Sequence, residues 1–209
     1  APPPSAGGFT MLQSLALLEG WLDPSERHAS TLWHHALAES WKGPYLDRAR
    51  YFGDPDHVVL PLDALMGRAR LDQRRALFDR QHATAAEHFS LPLPDTPEVR
   101  QPEGGGTSHL CVVDAEGNVT AVTSTINLPF GAGYTAAGMV MNDEMDDFAR
   151  GVGLENAYGL PGAATNLPGP GRRPVSTMSP TIILNDRGPV LCLGASGGSR
   201  TGGGHITSP

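Results

Sequence analysis

The chain has 209 residues, of which 26 are glycine and 19 are proline, a density of helix breakers that excludes a helical bundle or a long coiled coil. Its 15 basic and 22 acidic side chains give a formal net charge of −7, which argues against a nucleic-acid backbone or an anionic membrane as partner, because both require a basic patch. Hydrophobic residues at 39% and charged ones at 18% describe a globular sequence long enough for one or two domains.

Residues 1–8 show no basic segment followed by an apolar one, and no run of 18 apolar residues occurs anywhere; neither a targeting segment nor a membrane span is expected within this sequence. From Thr10 to Leu22 the spacing predicts a helix with Met11, Leu12, Leu15, Leu17, Leu18 and Trp21 on a broad apolar face. Asp23-Pro24-Ser25-Glu26 resembles a restart, with a second helix running to about Trp41 and resuming after Gly43-Pro44. Tyr51 to Asp56 breaks the pattern. Leu62 to Leu77 then predicts a third, arginine-rich helix whose charges form a solvated face. Residues 90–106 are rich in proline, glutamate and glycine and read as a linker or loop.

Beyond Gly104-Gly105-Gly106 the period shortens to that of a strand. His109 to Val113, a turn at Asp114 to Asn118, and Val119 to Ile126 predict one β-hairpin, and Pro180 to Leu193 predicts a second that turns at Asn185 to Gly188. Gly138 to Asn142 is a further strand candidate, and Gly151 to Arg173 reads as loop. Helices first and paired antiparallel strands second imply an α+β fold. Cys111 and Cys192, the two cysteines, lie in apolar runs and read first as buried free thiols, with a disulfide as the alternative; no metal framework and no cofactor is expected.

A Gly-rich linker that runs directly into Thr107, at the start of a buried strand, raises a chemical possibility. Cutting the Gly106-Thr107 bond would give this threonine a free α-amine beside its own hydroxyl, and that amine could serve as general base for a weakly nucleophilic alcohol. Its reference pKa near 8 suits the role at neutral pH. On spacing alone, a threonine after glycines is an ordinary strand start.

The surrounding letters add to this. Thr107-Ser108-His109-Leu110-Cys111-Val112-Val113-Asp114, Gly117-Asn118, Thr123-Ser124-Thr125-Ile126-Asn127 and Phe130-Gly131 resemble the signature of the γ-glutamyltranspeptidase family. Asn142 to Phe148, Asn156-Ala157-Tyr158-Gly159, Arg173 to Thr181 and Gly194 to Arg200 follow in that family's order, and Pro2 to Gly8 and Arg48 to Pro55 resemble the end of its large subunit. The resemblance implies an αββα sandwich of the N-terminal-nucleophile hydrolase type, incomplete in this chain, made as a precursor that cleaves itself between Gly106 and Thr107. Residues 1–106 would then be the C-terminal part of a large subunit and 107–209 the N-terminal part of a small one.

By resemblance Thr107 is the nucleophile, Thr125 orients it, and the backbone N–H groups of Gly197 and Gly198 face the oxyanion. Asn127, Glu144 and Asp147 match contacts to the glutamyl amino-acid head, the two acids as ammonium acceptors; Ser176 and Thr177 match a carboxylate-binding hydroxyl pair, and Tyr158 a lid tyrosine. The implied reaction is hydrolysis or transfer of the γ-glutamyl group of glutathione to water, an amino acid or a peptide, without cofactor or metal. A periplasmic or extracellular location is implied. Departures are Cys111 in place of a serine or threonine, Thr177 in place of a second serine, a tail from about Arg200 that leaves the family's pattern, and no counterpart to the family's carboxylate-clamping arginine. They keep two alternatives open: a related acylase acting on glutaryl or cephalosporin substrates, and a non-catalytic fragment.

Overall fold

The computed structural model describes residues 3–26, 28, 30–93, 107–154 and 162–196. The order of elements is helical first and stranded second, as expected: α1 (Gly7–Trp21), α2 (Thr31–Tyr51), α3 (Leu62–Met66) and α4 (Arg68–Arg75) precede β1 (Ser108–Val113), β2 (Val119–Ser124), β3 (Thr135–Ala136), β4 (Met139–Val140), β5 (Thr181–Asn185) and β6 (Gly188–Leu193).

α1 begins three residues before the predicted Thr10, because Gly7 lets its first turn close against the Thr177 carbonyl, where a Cβ would overlap. Its buried stripe is Thr10, Gln13, Ser14, Leu17, Leu18 and Trp21, so the predicted apolar face is corrected: Leu12 and Leu15 point outward, 55% and 43% exposed. Polar members of the stripe are satisfied across the helix pair, with the Ser14 and Ser40 hydroxyls 2.5 Å apart and the Gln13 amide donating to Asp47 Oδ2 at 3.0 Å. Hydrogen bonding, which periodicity of apolar letters ignores, selects the buried side.

The second helix also differs from expectation. Asp23 to Glu26 forms a turn in which the Asp23 carboxylate accepts from the Ser25 N–H at 2.8 Å, and the helix starts only after Ser30, whose hydroxyl accepts from the Trp33 N–H at 3.1 Å. It then continues unbroken through Gly43-Pro44 to Tyr51. Gly43 is required there because the Arg74 side chain lies over it. The third predicted helix is two, α3 and α4, separated at Gly67 in extended conformation.

Arg68 is solvated as predicted, but Arg70 and Arg74 are not. Asp47, fully buried on α2, accepts from Arg70 Nη2 at 2.6 Å and from Arg74 Nη1 and Nη2 at 2.7 and 2.8 Å, and Arg74 is itself 0% exposed. Two guanidinium groups around one carboxylate fasten α4 to α2. Around them lies one apolar cluster of Leu17, Leu18, Trp21, Ala36, Leu37, Leu46, Leu71 and Phe89. A second cluster, Ala6, Tyr51, Phe52, Leu65 and Val175, joins the helices to the segment before β5.

The two principal hairpins form as predicted. β1 pairs antiparallel with β2, Ser108 opposite Ser124 and Val113 opposite Val119. Asp114 closes the turn, its Oδ1 accepting from the N–H groups of Glu116 and Asn118 at 3.0 and 2.8 Å, while Gly117 supplies φ +84°. β5 pairs antiparallel with β6 through the turn at Asp186-Arg187, with a bulge between Ile183 and Leu184. The strand candidate at 138–142 is β4, paired with β3 in a short hairpin. β2 stops at Ser124 rather than Ile126 because Asn127 adopts φ +72°.

Two expectations fail in this half. β1 is an exposed strand, Val112 and Val113 being 53% and 63% exposed, and not a buried one. Cys111 and Cys192 are not buried free thiols: they are joined in a disulfide, with Cα atoms 6.1 Å apart, that ties β1 to β6. An exposed strand places Cys111 within reach of the second hairpin, where a single bond crosslinks 81 residues of chain.

Candidate functional site

Thr107 stands one residue before β1, half-buried. Continuing the β1–β2 register by one position sets it opposite Thr125, just as His109 lies opposite Thr123. Alternation along both strands then puts Thr107, His109, Thr123 and Thr125 on the less exposed face of the hairpin. The same alternation puts Asn127 on that face, and Asn127 is its most buried member, 5% exposed.

Asn127 turns the chain. Its positive φ is one that asparagine tolerates better than most residues, its N–H donates to Thr125 Oγ1 at 2.9 Å, and its side-chain amide donates to the Asp143 carbonyl at 3.3 Å. The Leu128 N–H donates to Asp143 Oδ1 at 3.0 Å. The strand end carrying Thr125 is thereby fixed to the single helical turn Glu144–Asp147.

That turn holds the two predicted ammonium acceptors side by side. Burial raises the Glu144 carboxyl, and its hydrogen bond to Asp147 and the negative charges of Asp147 and Asp143 raise it further, to about 8. Asp147 is raised too, by burial, although its bond to Glu144 and the buried Arg48 guanidinium pull the other way. At neutral pH this pair retains a proton between its two carboxyls. Such a site is poised to exchange the proton for an incoming cation.

Ser176 and Thr177 lie on the segment that leads into β5. The Ala6 N–H donates to the Ser176 carbonyl at 2.8 Å, Ser5 and Ser176 form a parallel bridge, and the Ser176 hydroxyl accepts from the Met178 N–H at 3.1 Å. Asn166 links this segment to the acidic turn: its side-chain amide donates to the Asp147 carbonyl at 2.7 Å, and its Oδ1 accepts from the Val175 N–H at 3.1 Å. Arg173 anchors the same segment to the helical half. It donates through its backbone N–H to Asp54 Oδ2 at 2.8 Å, through Nη2 to Asp54 Oδ1 at 2.5 Å, and again through Nη2 to Asp56 Oδ2 at 2.7 Å. These bonds hold the Asp54 carboxyl well below the usual carboxylate range.

Of the predicted site residues, Thr125 accepts from the Asn127 N–H, Asn127 reaches Asp143 beside Glu144 and Asp147, and Asn166 bridges the Asp147 carbonyl to the Val175 N–H that precedes Ser176 and Thr177, while Thr107 stands across from Thr125 by continuation of the strand register. Gly106, Tyr158, Gly197 and Gly198 lie outside the described residues. Sequence reasoning missed Asn166 and Arg48 as members of this arrangement. Arg48 stood within a quoted stretch but carried no polar pattern; nothing about Asn166 in a loop distinguished it.

Comparison with known proteins bears on what this arrangement is. The profile of the Gamma-glutamyltranspeptidase family matches residues 1–207. The glutathione hydrolase proenzyme of Pseudomonas sp. (strain A14) is 40% identical over 202 residues, which are 96% of this chain and 34% of that protein. The glutathione hydrolase proenzyme of Escherichia coli (strain K12) is 39% identical over 201 residues, 95% of this chain and 34% of its own. This chain thus spans about a third of the length of the curated relatives it matches. The solved structure of cephalosporin acylase from Bacillus halodurans superposes with a TM-score of 0.72 over 98% of this chain and 33% of that one, at 21% identity, a likeness that speaks for the fold alone. The fold is α+β and of the N-terminal-nucleophile hydrolase type, present here in part. With residues 1–207 matched by one profile and relatives 39–40% identical over nearly the whole of it, the chain belongs to the γ-glutamyltranspeptidase family.

Proposed function

We propose that this chain carries the reacting strand and the glutamyl-head site of an enzyme that hydrolyses or transfers the γ-glutamyl group of glutathione and related compounds, after cleavage between Gly106 and Thr107. The observation that carries the reading is the β1–β2 register, which sets Thr107 across from Thr125 on the sheltered face of the hairpin.

In the proposed reaction the Thr107 α-amine accepts the hydroxyl proton as Oγ1 attacks the γ-carbonyl carbon. The amide C–N bond then breaks, the departing nitrogen takes that proton, and a γ-glutamyl ester remains on Thr107. Water or an acceptor amine attacks the ester and returns the oxygen to Thr107 as a hydroxyl. Thr125 acts as a positioning residue through its hydroxyl, and Gly197 and Gly198 supply oxyanion N–H donors worth about 3–4 kcal/mol each in comparable sites. Glu144 and Asp147 receive the α-ammonium with Asn127, Ser176 and Thr177 receive the α-carboxylate, and Tyr158 covers the pocket. Residues 1–106 and 107–209 become parts of a large and a small subunit. The disulfide supports a periplasmic or extracellular location, since such bonds persist in oxidising compartments.

Intact-mass analysis of the longer precursor that contains this segment tests the cleavage, and Thr107→Ala is expected to abolish both cleavage and turnover of a γ-glutamyl anilide. A preparation with the Gly106-Thr107 bond intact that still turns over would overturn the mechanism. Preference for a glutaryl anilide would favour the acylase reading, and cleavage without turnover of either would favour the non-catalytic one.

A further inference from the structure

The corner where β1 meets β6 brings together three donors that the reaction above does not use. His109 and Cys111 alternate along β1, and Cys192 reaches them from β6; the imidazole nitrogen and the two sulfurs all lie within 4.8 Å of one another. His109 Nε2 is 3.3 Å from Cys111 Sγ. A nitrogen and a sulfur bound at their usual ~2.0 and ~2.3 Å to one tetrahedral zinc ion stand roughly 3.6 Å apart, so this pair is already spaced for shared coordination.

The imidazole is held from two further sides. Its Nδ1 lies 2.8 Å from Thr123 Oγ1, directly across the hairpin. With Nδ1–H donating to that hydroxyl, the Nε2 lone pair is directed at the Cys111 sulfur, which is the tautomer a metal-binding histidine needs. Gly194, two residues after Cys192, makes room for the ring, since a Cβ there would overlap it. Cys111 is exposed and Cys192 half-buried, so a reductant can reach the bond between them.

We propose that reduction of the Cys111–Cys192 bond converts this corner into a binding site for a soft divalent cation of the zinc class, held by the two thiolates and His109 Nε2. A dithiol or phosphine reductant supplies two electrons and is oxidised, the S–S bond breaks, and two thiols form. Binding of the cation then releases both thiol protons to solvent, and a water completes four-coordination. Disulfide and metal are alternative crosslinks between the same two strands: the metal serves the reduced chain and the disulfide the oxidised one. Either links the strand that begins beside Thr107 to the strand that leads toward Gly197.

Anaerobic titration of the phosphine-reduced chain with Co2+ tests this. The expected result is one ion per chain, a sulfur-to-cobalt charge-transfer band, tetrahedral d–d bands in the red, displacement by Zn2+, and about two protons released per ion. The oxidised chain should show no such bands. Cys111→Ser and Cys192→Ser should each weaken the charge-transfer band and Zn2+ affinity, and Thr123→Val, which removes only the support of the ring, should weaken affinity about 10-fold or more. In the unmutated reduced chain, Zn2+ should protect both thiols from alkylation, a readout independent of whether any variant folds. A reduced chain without a sulfur–cobalt band, thiols alkylated equally with and without Zn2+, or binding unchanged by His109→Ala would overturn the proposal.

Discussion

The helical half and the stranded half of this molecule are built by opposite means. Residues 7–75 and Phe89 surround a continuous apolar cluster and a fully buried Asp47–Arg70–Arg74 ion network. The hairpins β1–β2 and β5–β6 leave Val113, Leu184 and Val190 63%, 65% and 55% exposed and are joined by a disulfide. An apolar strand surface of this extent needs a covering layer, and this chain spans only about a third of its full-length relatives. The lesson is local: the helical half carries its own core, whereas the half that carries Thr107, together with Asn127, Glu144, Asp147, Ser176 and Thr177, is held by one disulfide and by a few bonds back to the helical half, Arg173 to Asp54 above all.

The largest effect should therefore come from the helical half. Asp47→Ala removes the partner of two buried guanidinium groups, and an uncompensated buried charge costs about 3–5 kcal/mol. Denaturant unfolding followed by tryptophan fluorescence should report that loss, since Trp21 packs in the same cluster. A shift below about 1 kcal/mol would mean that water reaches the arginines and that the half is less self-supporting than its packing indicates.

Breaking the disulfide probes the other half. With 81 residues between its cysteines, a Cys111→Ser/Cys192→Ser double variant should lose about 2–4 kcal/mol, and hydrogen exchange should accelerate in 108–124 and 181–193 with little change in 31–51. Equal acceleration in both halves would show one cooperative unit and dissolve the contrast.

A smaller and pH-dependent effect belongs to the join between the halves. Because Glu144 titrates near 8 in the fold against a usual value of 4.5, the folded chain retains a proton that the unfolded chain has lost between those limits. Its contribution is fully present below about 4.5 and is lost as pH rises through about 8. Glu144→Gln should accordingly flatten the decline in stability from about pH 5 to about pH 9 relative to the unmutated chain. An unchanged slope would place the retained proton elsewhere. The same pair predicts that binding of an ammonium-bearing ligand at neutral pH releases a proton, which calorimetry in buffers of different ionisation enthalpy can measure.

Much of this arrangement was legible in the letters, for identifiable reasons. Strand alternation and turn chemistry are local, so both hairpins, the Asp114 turn and the shared face of Thr123, Thr125 and Asn127 could be read directly. The order of motifs, from Thr107 through Glu144 and Asp147 to Ser176 and Thr177, supplied the residues of the proposed head site by resemblance, before any geometry was known. What failed was long-range. Leu12 and Leu15 looked buried until Ser14 found Ser40; Arg70 and Arg74 looked solvated until Asp47, 23 and 27 residues away, drew them inward. Cys111 looked like a buried thiol because an apolar run suggests burial, whereas these strands lack a cover. Asn166 could not be found at all, since its role consists only in whom it touches.

The smallest expected effect is also the most direct measure of the contrast. Leu17 on α1 is fully buried and Leu184 on β5 is 65% exposed. Truncating the first, Leu17→Ala, should cost about 2–5 kcal/mol, the range for a buried leucine, whereas Leu184→Thr on a strand that favours β-branched residues should stay within about 0.5 kcal/mol. The same substitution made in a full-length precursor gives the converse test. If further layers cover β5 there, Leu184→Thr should become costly while Leu17→Ala keeps its value, because only the strand half changes its surroundings. A Leu184→Thr cost already large in this chain would mean that the hairpin face is covered from within, and that the two halves are stabilised alike.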